Sequence, residues 1–292
     1  MTDSQWLAQR FEEKREHLRA VAQRMLGPGG EADDAVQEAW LRLERADSGS
    51  IENLRAWLTT VVARICLDSL RAKNTRKEDS LEDESGEIVA ESAATGSLPE
   101  DEVVLADSVG VALMVVLDRL APSERVAFVL HDVFGMSFDE IAQILDRTPV
   151  AARQLASRAR RRVQGGTLPT ERRIRERRIV EAFLSALKKG DFQALMAVLD
   201  PDLVFRADRF AATAGRDVEI HGAANWAKNA VAFSHLIQGA ALSLVDGSVG
   251  IILAPEGRLS RVLKLHFEND RIAEVEVIAD PERVEKVELG II

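Results

Sequence analysis

Hydrophobic positions between residues 137 and 163 repeat with the period of two short helices separated by a tight turn. The apolar stripe of the first helix falls at i, i+3, i+4 and i+7: Phe138, Ile141, Ala142 and Leu145. The pattern then breaks, because Asp146 can adopt the left-handed conformation of a sharp turn, Thr148 is a good N-cap and Pro149 suits a first helical position. The second helix is expected to bury four apolar side chains: Ala152, Leu155, Ala159 and Val163. The stretch therefore predicts a helix-turn-helix.

The other face of the second helix carries short side chains, Arg and Gln, which suit a helix that enters the DNA major groove. The candidate DNA-binding residues are Thr148, Val150, Ala151, Arg153, Gln154, Ser157, Arg158 and Arg161. An αα-hairpin with a solvated basic face would show the same spacing. Charge favours DNA, because five arginines between residues 153 and 162 cluster in a protein whose net charge is −10.

Three further helices are predicted before residue 78. The first covers residues 4–26, with Trp6, Phe11, Leu18, Val21, Ala22 and Met25 on one side, and a Gly-Pro-Gly-Gly run stops it. The second begins near Glu31 and has a mostly acidic flank. The third covers residues 54–73 and is expected to bury Trp57, Leu58, Val61, Ile65 and Leu70.

An acidic segment separates these helices from the helix-turn-helix. Residues 78–102 hold ten Asp or Glu residues and no Lys or Arg, which is typical of a flexible linker. We therefore expect a helical domain over residues 1–77, the linker over 78–102 and a second helical domain over 103–165 that contains the helix-turn-helix. By composition alone, these acids need no role beyond that of a solvated spacer.

The chain then continues into an α+β region over residues 170–292. A helix that opens with arginines at 172–178 is followed by a short helix at 192–199, a strand at 203–205 and a helix at 223–233. Strands are predicted at about 238–245, 248–254, 260–268 and 271–278, because turn signals such as Asp246-Gly247 separate alternating segments. This order predicts an antiparallel meander curled into a cone.

Composition excludes several classes of protein. The 292 residues suffice for two or three domains, and no apolar run reaches the roughly 20 residues of a membrane span. The polar N-terminus lacks a signal-peptide core, and a single cysteine, Cys66, allows no internal disulfide, so we expect a cytoplasmic protein. No metal-ligand spacing or Gly-rich phosphate loop appears, so neither a metal, a cofactor nor a catalytic residue is predicted.

The blocks DDAVQEAWLRL and NLRAWLTTVVARICLDSLR, followed by the helix-turn-helix, resemble regions 2 and 4 of an extracytoplasmic-function (ECF) sigma factor. The resemblance implies promoter DNA and core RNA polymerase as partners, through the β′ clamp helices and the β flap. It assigns the helix-turn-helix to the −35 element. It assigns polymerase contact to Asp33, Asp34, Gln37, Glu38 and Leu41, and the −10 strand to Asn53, Arg55, Arg64 and Arg71. Ile65 stands where the family usually has Asn, which predicts an altered −10 preference.

The C-terminal region resembles a SnoaL-like domain, which one group of ECF factors carries as a fused regulator. The resemblance implies a regulatory contact through Asp280, Pro281, Glu282 and Arg283. Two alternatives remain open: a helix-turn-helix regulator whose cone binds a small ligand, and a cone enzyme tethered to DNA. In the second alternative, Asp208, His221 and His266 would line a catalytic cavity.

Overall fold

The computed structural model describes residues 3–27, 29–46, 51–81, 101–166, 168–230, 237 and 239–292, which form two compact units. The first unit contains α1–α3, α5, α6 and α7 up to Arg160, and the second contains most of α4, the end of α7 and all later elements. Most of the predicted acidic linker, residues 82–100, lies outside the described part.

The helices are α1 (Asp3–Leu26), α2 (Gly30–Arg45), α3 (Leu54–Leu81), α4 (Asp101–Asp118), α5 (Pro122–Phe128), α6 (Phe138–Leu145), α7 (Pro149–Gln164), α8 (Thr170–Lys189), α9 (Phe192–Val198), α10 (Ala223–Ala230) and α11 (Pro281–Lys286). The strands are β1 (Leu199–Ala207), β2 (Val218–His221), β3 (Ala240–Val245), β4 (Ser248–Leu253), β5 (Arg261–Glu268), β6 (Arg271–Ile278) and β7 (Leu289–Gly290). Among these residues, no helix is long and apolar enough to cross a membrane.

In the first unit, α3 packs against α1, α2, α5 and α6. The predicted stripe on α3 is largely wrong: Trp57, Val61, Ile65 and Leu70 are only half-buried. The buried positions besides Leu58 are Thr59, Val62, Ala63, Cys66 and Leu67. Because four helices contact α3, no single apolar stripe describes its buried surface. On α1, Trp6 begins the predicted apolar side and is 46% exposed.

The helix-turn-helix begins with a capping box that fixes the start of α6. The Ser137 hydroxyl accepts a hydrogen bond from the Glu140 amide, and the Glu140 carboxylate accepts one from the Ser137 amide. Before it, α5 widens into one π-helical turn, Val129–Val133. On α7 the buried residues are Ala152, Ala156, Ala159 and Val163, so Ala156 takes the position expected of Leu155, which is half-buried.

The second unit is built on a seven-stranded mixed sheet in the order β2-β1-β6-β5-β4-β3-β7. The expected meander is present in β3–β6, but β1 adds in parallel to β6 and β2 extends that edge. Helices α8, α9 and α10 contribute to the core that covers one face, where Trp226 stacks on Phe183 at 5.8 Å between ring centroids. The predicted turn signals hold, since Asp246-Gly247 and Asn269-Asp270 all have positive φ.

Candidate nucleic-acid interface

The turn before α7 has the geometry that its sequence predicts. Asp146 ends α6 in the left-handed region, at φ 54° and ψ 55°. The Thr148 hydroxyl accepts a hydrogen bond from the Ala151 amide at 3.2 Å, and α7 begins at the next residue, Pro149. The predicted N-cap is therefore confirmed, and it orients the first turn of α7.

All eight candidate side chains of the helix-turn-helix are accessible to solvent. Thr148, Val150, Arg153, Gln154, Arg158 and Arg161 are exposed, and Ala151 and Ser157 are half-buried. Val150 is 64% exposed, although burial of a valine side chain against another surface is favourable. The first two turns of α7 thus present a small apolar side chain beside Arg and Gln donors.

Two arginines of α7 are held by neighbouring elements. The Arg153 guanidinium lies 5.3 Å from the centroid of the Phe138 ring, and that ring stacks on His131 at 3.9 Å. Arg160 donates to the Asp132 carboxylate through Nε at 2.8 Å, which ties α7 to the π-helical turn. Arg160 is therefore a structural cation, whereas Arg153 remains exposed.

The acidic face of α2 is exposed in the first unit. Asp34 and Gln37 are exposed, and Glu38 and Leu41 are half-buried. Arg19 donates to Asp33 at 2.8 Å, and Arg42 donates to Glu38 at 2.9 Å, with all four side chains at least 42% exposed. Such surface ion pairs contribute little to stability, so both carboxylates can exchange partners at low cost.

The four residues assigned to the −10 strand do not form one free surface. The side-chain Oδ1 of Asn53 accepts from the Ala56 amide at 3.1 Å and caps α3. Arg71 lies 3.9 Å from Asp68 on an exposed turn. Arg64 donates from Nη2 to the main-chain oxygen of Gln143 in α6 at 3.1 Å.

Arg55, the remaining candidate, contacts His17 at 3.4 Å. His17 also lies 3.3 Å from the Thr59 hydroxyl and packs edge-on against Phe134. Burial, with smaller effects from Arg55 and Lys14, lowers the pKa of His17. The imidazole is therefore neutral at neutral pH and can accept from Arg55.

Arg125 on α5 is a buried cation with incomplete pairing. Its side chain is 2% exposed, Nη1 donates to Asp118 at 2.7 Å, and Nε donates to the Arg24 carbonyl near the end of α1 at 3.4 Å. Within the described ranges of the chain, its Nη2 finds no hydrogen-bond partner. A helix C-terminus favours a cation, but an unsatisfied buried N–H is costly. Burial also raises the pKa of the Cys66 thiol to about 12, although the Arg125 charge opposes this effect.

We expect Arg125→Met to leave the first unit at least as stable as the wild type, with a gain in unfolding free energy of about 1 kcal/mol. Methionine fills much of the same volume and needs no hydrogen bonds. Asp118→Ala, which leaves the guanidinium buried with one carbonyl partner, is expected to cost about 2 kcal/mol. Urea unfolding of both variants measures the difference, and a loss in Arg125→Met as large as in Asp118→Ala would contradict this account of the pair.

In the second unit, Asp208 joins the loop after β1 to the C-terminal tail. Its Oδ1 accepts from the amides of Phe210 and Ala211 at 3.2 and 2.9 Å. Its Oδ2 accepts from the amides of Ala279 and Asp280 at 2.8 and 2.9 Å. Burial opposes ionisation, but these hydrogen bonds and Arg283 outweigh it and lower the pKa of Asp208.

The four tail residues assigned to regulation start α11. The Asp280 carboxylate accepts from the amides of Glu282 and Arg283 at 3.0 and 3.3 Å, and Pro281 is the first helical residue. Arg283 donates to Glu276 at 2.5 Å and lies 3.8 Å from Asp208. Loop, tail and β6 are thus linked through charged side chains.

The two histidines proposed to line a catalytic cavity do not do so. His221 and His266 have side chains 69% and 63% exposed and pair with Glu219 and Glu268. Strand alternation places His266 opposite the inward-facing Leu265. Among the described residues of this unit there is an open groove of about 240 Å³ near Arg206, whose charged side chains are engaged with one another. No group of three or more His, Cys, Asp or Glu residues in the described ranges could hold a metal.

Four features escaped sequence reasoning. All four depend on contacts between distant elements. They are the ring of Phe138 under Arg153, the buried Arg125, the Asp208 carboxylate that joins loop and tail, and the close main-chain approach of Gly165 to Gly290. Asp208 offered one local signal, since an aspartate side chain often accepts from main-chain amides two or three residues ahead.

Two protein families match the helical regions. Sigma-70 region 2 matches residues 11–76, and Sigma-70 region 4 matches residues 110–163. The chain is 34% identical over 280 residues to the probable ECF RNA polymerase sigma factor SigI of Mycobacterium tuberculosis, covering 94% of each chain. It is 42% identical over 203 residues to the ECF RNA polymerase sigma factor SigJ of the same organism, covering 68% of this chain and 64% of SigJ. The crystal structure of SigJ aligns with 94% of this chain and 97% of its own at 35% identity, with a TM-score of 0.46.

Proposed function

Since this chain belongs to the ECF family of RNA polymerase sigma factors, we propose that separate faces of its helices contact core polymerase, the −10 strand and the −35 element. It is an alternative sigma factor that directs core RNA polymerase to promoters. Membership in this family favours a sigma factor over the alternative of a helix-turn-helix regulator that acts without polymerase. Its relatives are named as RNA polymerase sigma factors.

We assign recognition of the −35 element to α7, and the main evidence is that the first half of that helix is exposed. Arg153 and Gln154 lie on it beside the small residues Val150 and Ala151, and the Thr148 cap fixes its start. Small residues permit close approach to base edges, where Arg recognises guanine and Gln recognises adenine. Arg158 and Arg161 lie farther along the helix, where phosphate contacts are expected.

The −10 strand is assigned to Asn53, Arg55, Arg64 and Arg71 at α3. Three of these side chains already have protein partners, so they must exchange them for DNA: Asn53 its helix cap, Arg55 its contact to His17, and Arg64 its bond to Gln143. Arg71 is the most available, because its ion pair is long and exposed. Alanine substitution of Arg71 is therefore expected to reduce the affinity for the −10 strand more than alanine substitution of Asn53, Arg55 or Arg64.

Core polymerase is assigned to α2, whose residues Asp33, Asp34, Gln37, Glu38 and Leu41 would contact the β′ clamp helices. The second helical region would contact the β flap. An acidic surface speeds association with a basic partner and fixes its orientation. Asp34 is the best probe, because it is exposed and an acidic side chain there can pair across an interface.

Asp34→Arg is expected to weaken binding to purified core polymerase about tenfold, and the effect should shrink as salt rises. Glu16→Arg is the matched control, since Glu16 is an exposed acid on α1 and the change in charge is the same. Fluorescence anisotropy of the labelled chain measures both affinities. Equal losses in the two variants would show a general charge effect and contradict a specific acidic face on α2.

We assign the sheet-containing C-terminal unit to a SnoaL-like cone that regulates the sigma factor in cis. Support comes from the tail, where Asp280 and Arg283 connect α11 to Asp208 and Glu276. The core side of the sheet is filled by residues such as Phe183, Phe205 and Trp226. We therefore expect the regulatory contact in the connected loop and tail.

Arg283→Ala is expected to change the initial rate of run-off transcription at least about threefold, because a disrupted regulatory contact alters coupling by such factors. Affinity for core polymerase should stay the same. Lys286→Ala on the same helix is the control, since that exposed lysine lies beyond the Asp208 contact. Unchanged rates in Arg283→Ala would remove the tail from the regulatory mechanism.

A further inference from the structure

Phe138, the first residue of α6, contacts two side chains that the promoter-recognition assignment does not connect. Its ring stacks on His131 with 3.9 Å between centroids and 27° between planes. The guanidinium carbon of Arg153 lies 5.3 Å from the same ring centroid. An aromatic side chain of α6 thus supports a cation in the second turn of α7.

The lower part of this stack is fixed by its own hydrogen bonds. His131 Nδ1 lies 3.0 Å from the Met136 carbonyl oxygen, so the imidazole is tied to the loop between the π-helical turn and α6. Phe138 follows Ser137, whose capping box with Glu140 sets the start of α6. The ring is half-buried, whereas Arg153 is exposed. The ring is therefore the fixed partner, and the guanidinium is the mobile one.

We propose that Phe138 is a positioning residue for promoter recognition: its ring holds the Arg153 guanidinium in place for a base in the DNA groove. This inference rests on the proposed −35 contact of α7. An exposed arginine loses rotamer freedom when it binds a base, and a ring that restricts it beforehand reduces that loss. Cation–π contact leaves the outer N–H donors of the guanidinium available for guanine acceptors.

The ring contact distinguishes Arg153 from Arg160 on the same helix. Arg160 is held by Asp132, whose carboxylate occupies its donors. Arg153 is instead held by a ring, which takes none of the N–H donors at the edge of the guanidinium. The side chain is therefore restricted in its motion while its donors stay available to a base. We expect Arg153 to give base discrimination, and Arg158 to give contact that is uniform across sequences.

A double-mutant cycle tests the role, using holoenzyme assembled from purified core polymerase and the full chain. The templates carry a −35 element randomised in sequence, and sequencing of bound templates gives the discrimination at each base pair. Arg153→Ala identifies the position that this side chain recognises. Phe138→Leu is expected to reduce discrimination at that position about 2- to 5-fold, the change in an exposed cation–π contact.

The controls distinguish positioning from folding. Phe138→Tyr keeps the ring and should retain the discrimination. Phe138→Leu should add nothing in the Arg153→Ala background and should keep its full effect in the Arg158→Ala background. A loss of discrimination in Phe138→Leu that persists unchanged in Arg153→Ala, or a failure of Phe138→Tyr to retain it, would overturn the positioning role.

The same experiment separates this inference from the function on which it rests. If Arg153→Ala leaves the discrimination unchanged at every base pair of the −35 element, the proposed base contact of Arg153 is wrong. The positioning role of Phe138 is then wrong as well. If Arg153→Ala flattens one position and Phe138→Leu leaves that position intact, the contact stands and only the positioning role is overturned.

Discussion

Asp208→Ala is expected to lower the unfolding free energy of the second unit by about 3 kcal/mol and to release the C-terminal tail. The carboxylate accepts hydrogen bonds from four main-chain amides, two in its own loop and two in the tail, where Ala279 lies 71 residues after Asp208. The Asp208 side chain is 7% exposed. Alanine removes this acceptor from the amides of Phe210, Ala279 and Asp280, whereas the Ala211 amide keeps the Asp208 main-chain oxygen at 3.0 Å. Each unsatisfied buried donor costs about 1–3 kcal/mol before water enters. Hydrogen exchange at the amides of Ala279 and Asp280 should accelerate more than exchange elsewhere in the sheet.

Asp217→Ala is the matched control, because Asp217 is exposed and accepts from the Arg209 amide in the same loop at 2.8 Å. Its cost should stay near 1 kcal/mol, with no change at Ala279. If both variants destabilise equally, Asp208 is not the junction between loop and tail.

The contribution of Asp208 also has a defined pH dependence. Its pKa is lower in the folded chain than in the unfolded chain, so it stabilises the fold above about pH 4. This stability is lost as the pH falls through the folded pKa, where the carboxylate becomes protonated. The difference in unfolding free energy between wild type and Asp208→Ala should therefore be constant near neutrality and shrink in acid.

Gly165→Ala is expected to cost about 2–4 kcal/mol and to detach β7. A Cβ at Gly165 would lie 2.4 Å from the Cα and 2.7 Å from the N of Gly290, so one main chain must move. Gly165 also has φ +60°, which a non-glycine residue adopts at a cost of about 1 kcal/mol. Next to it, the Ile291 amide donates to the Val163 carbonyl at 2.8 Å, and exchange of that amide reports detachment.

Gly166→Ala supplies the control for backbone strain alone. Gly166 has φ +97°, but a Cβ there would meet nothing within 4 Å. The two variants therefore share a left-handed conformation and differ in the overlap with Gly290. Protection of the Ile291 amide should fall in Gly165→Ala and persist in Gly166→Ala, and equal loss in both would exclude the close approach as the cause.

The turns were predictable because their chemistry is local. The left-handed Asp146, the Thr148 cap and the hairpins at Asp246-Gly247 and Asn269-Asp270 each depend on residues within a few positions. Helical spacing of apolar residues likewise predicted the helix-turn-helix, and alternating segments between turn signals predicted the meander. Local conformational preference and hydrophobic period suffice for such features.

Buried faces were harder to predict where several elements contact one helix. On α3, Trp57 and Val61 are half-buried and Val62 and Cys66 are fully buried, because helices pack on more than one side. Strand β2 was missed because it is a four-residue edge strand, too short for its alternation of apolar and polar residues to stand out. Arg125 departs from the rule that charged residues stay exposed.

The sequence predicted which residues lie in the candidate interface, but not which side chains they contact within the protein. The sequence placed Arg153, Arg64 and Arg55 correctly on helices α7 and α3. It gave no indication that Arg153 lies over Phe138, that Arg64 bonds to Gln143, or that Arg55 contacts His17. Each of these pairs joins residues on different elements, and single-sequence periodicity contains no such information.

Run-off transcription by purified core polymerase, on a template library randomised across the −35 and −10 elements, tests the central claim most directly. The full chain is expected to enrich one motif at each element. Arg153→Ala should flatten a base preference in the −35 element alone, and Arg71→Ala should weaken preference in the −10 element alone. Transcripts without any enriched motif, or two variants that both act on the same element, would contradict the division of promoter recognition between α7 and α3.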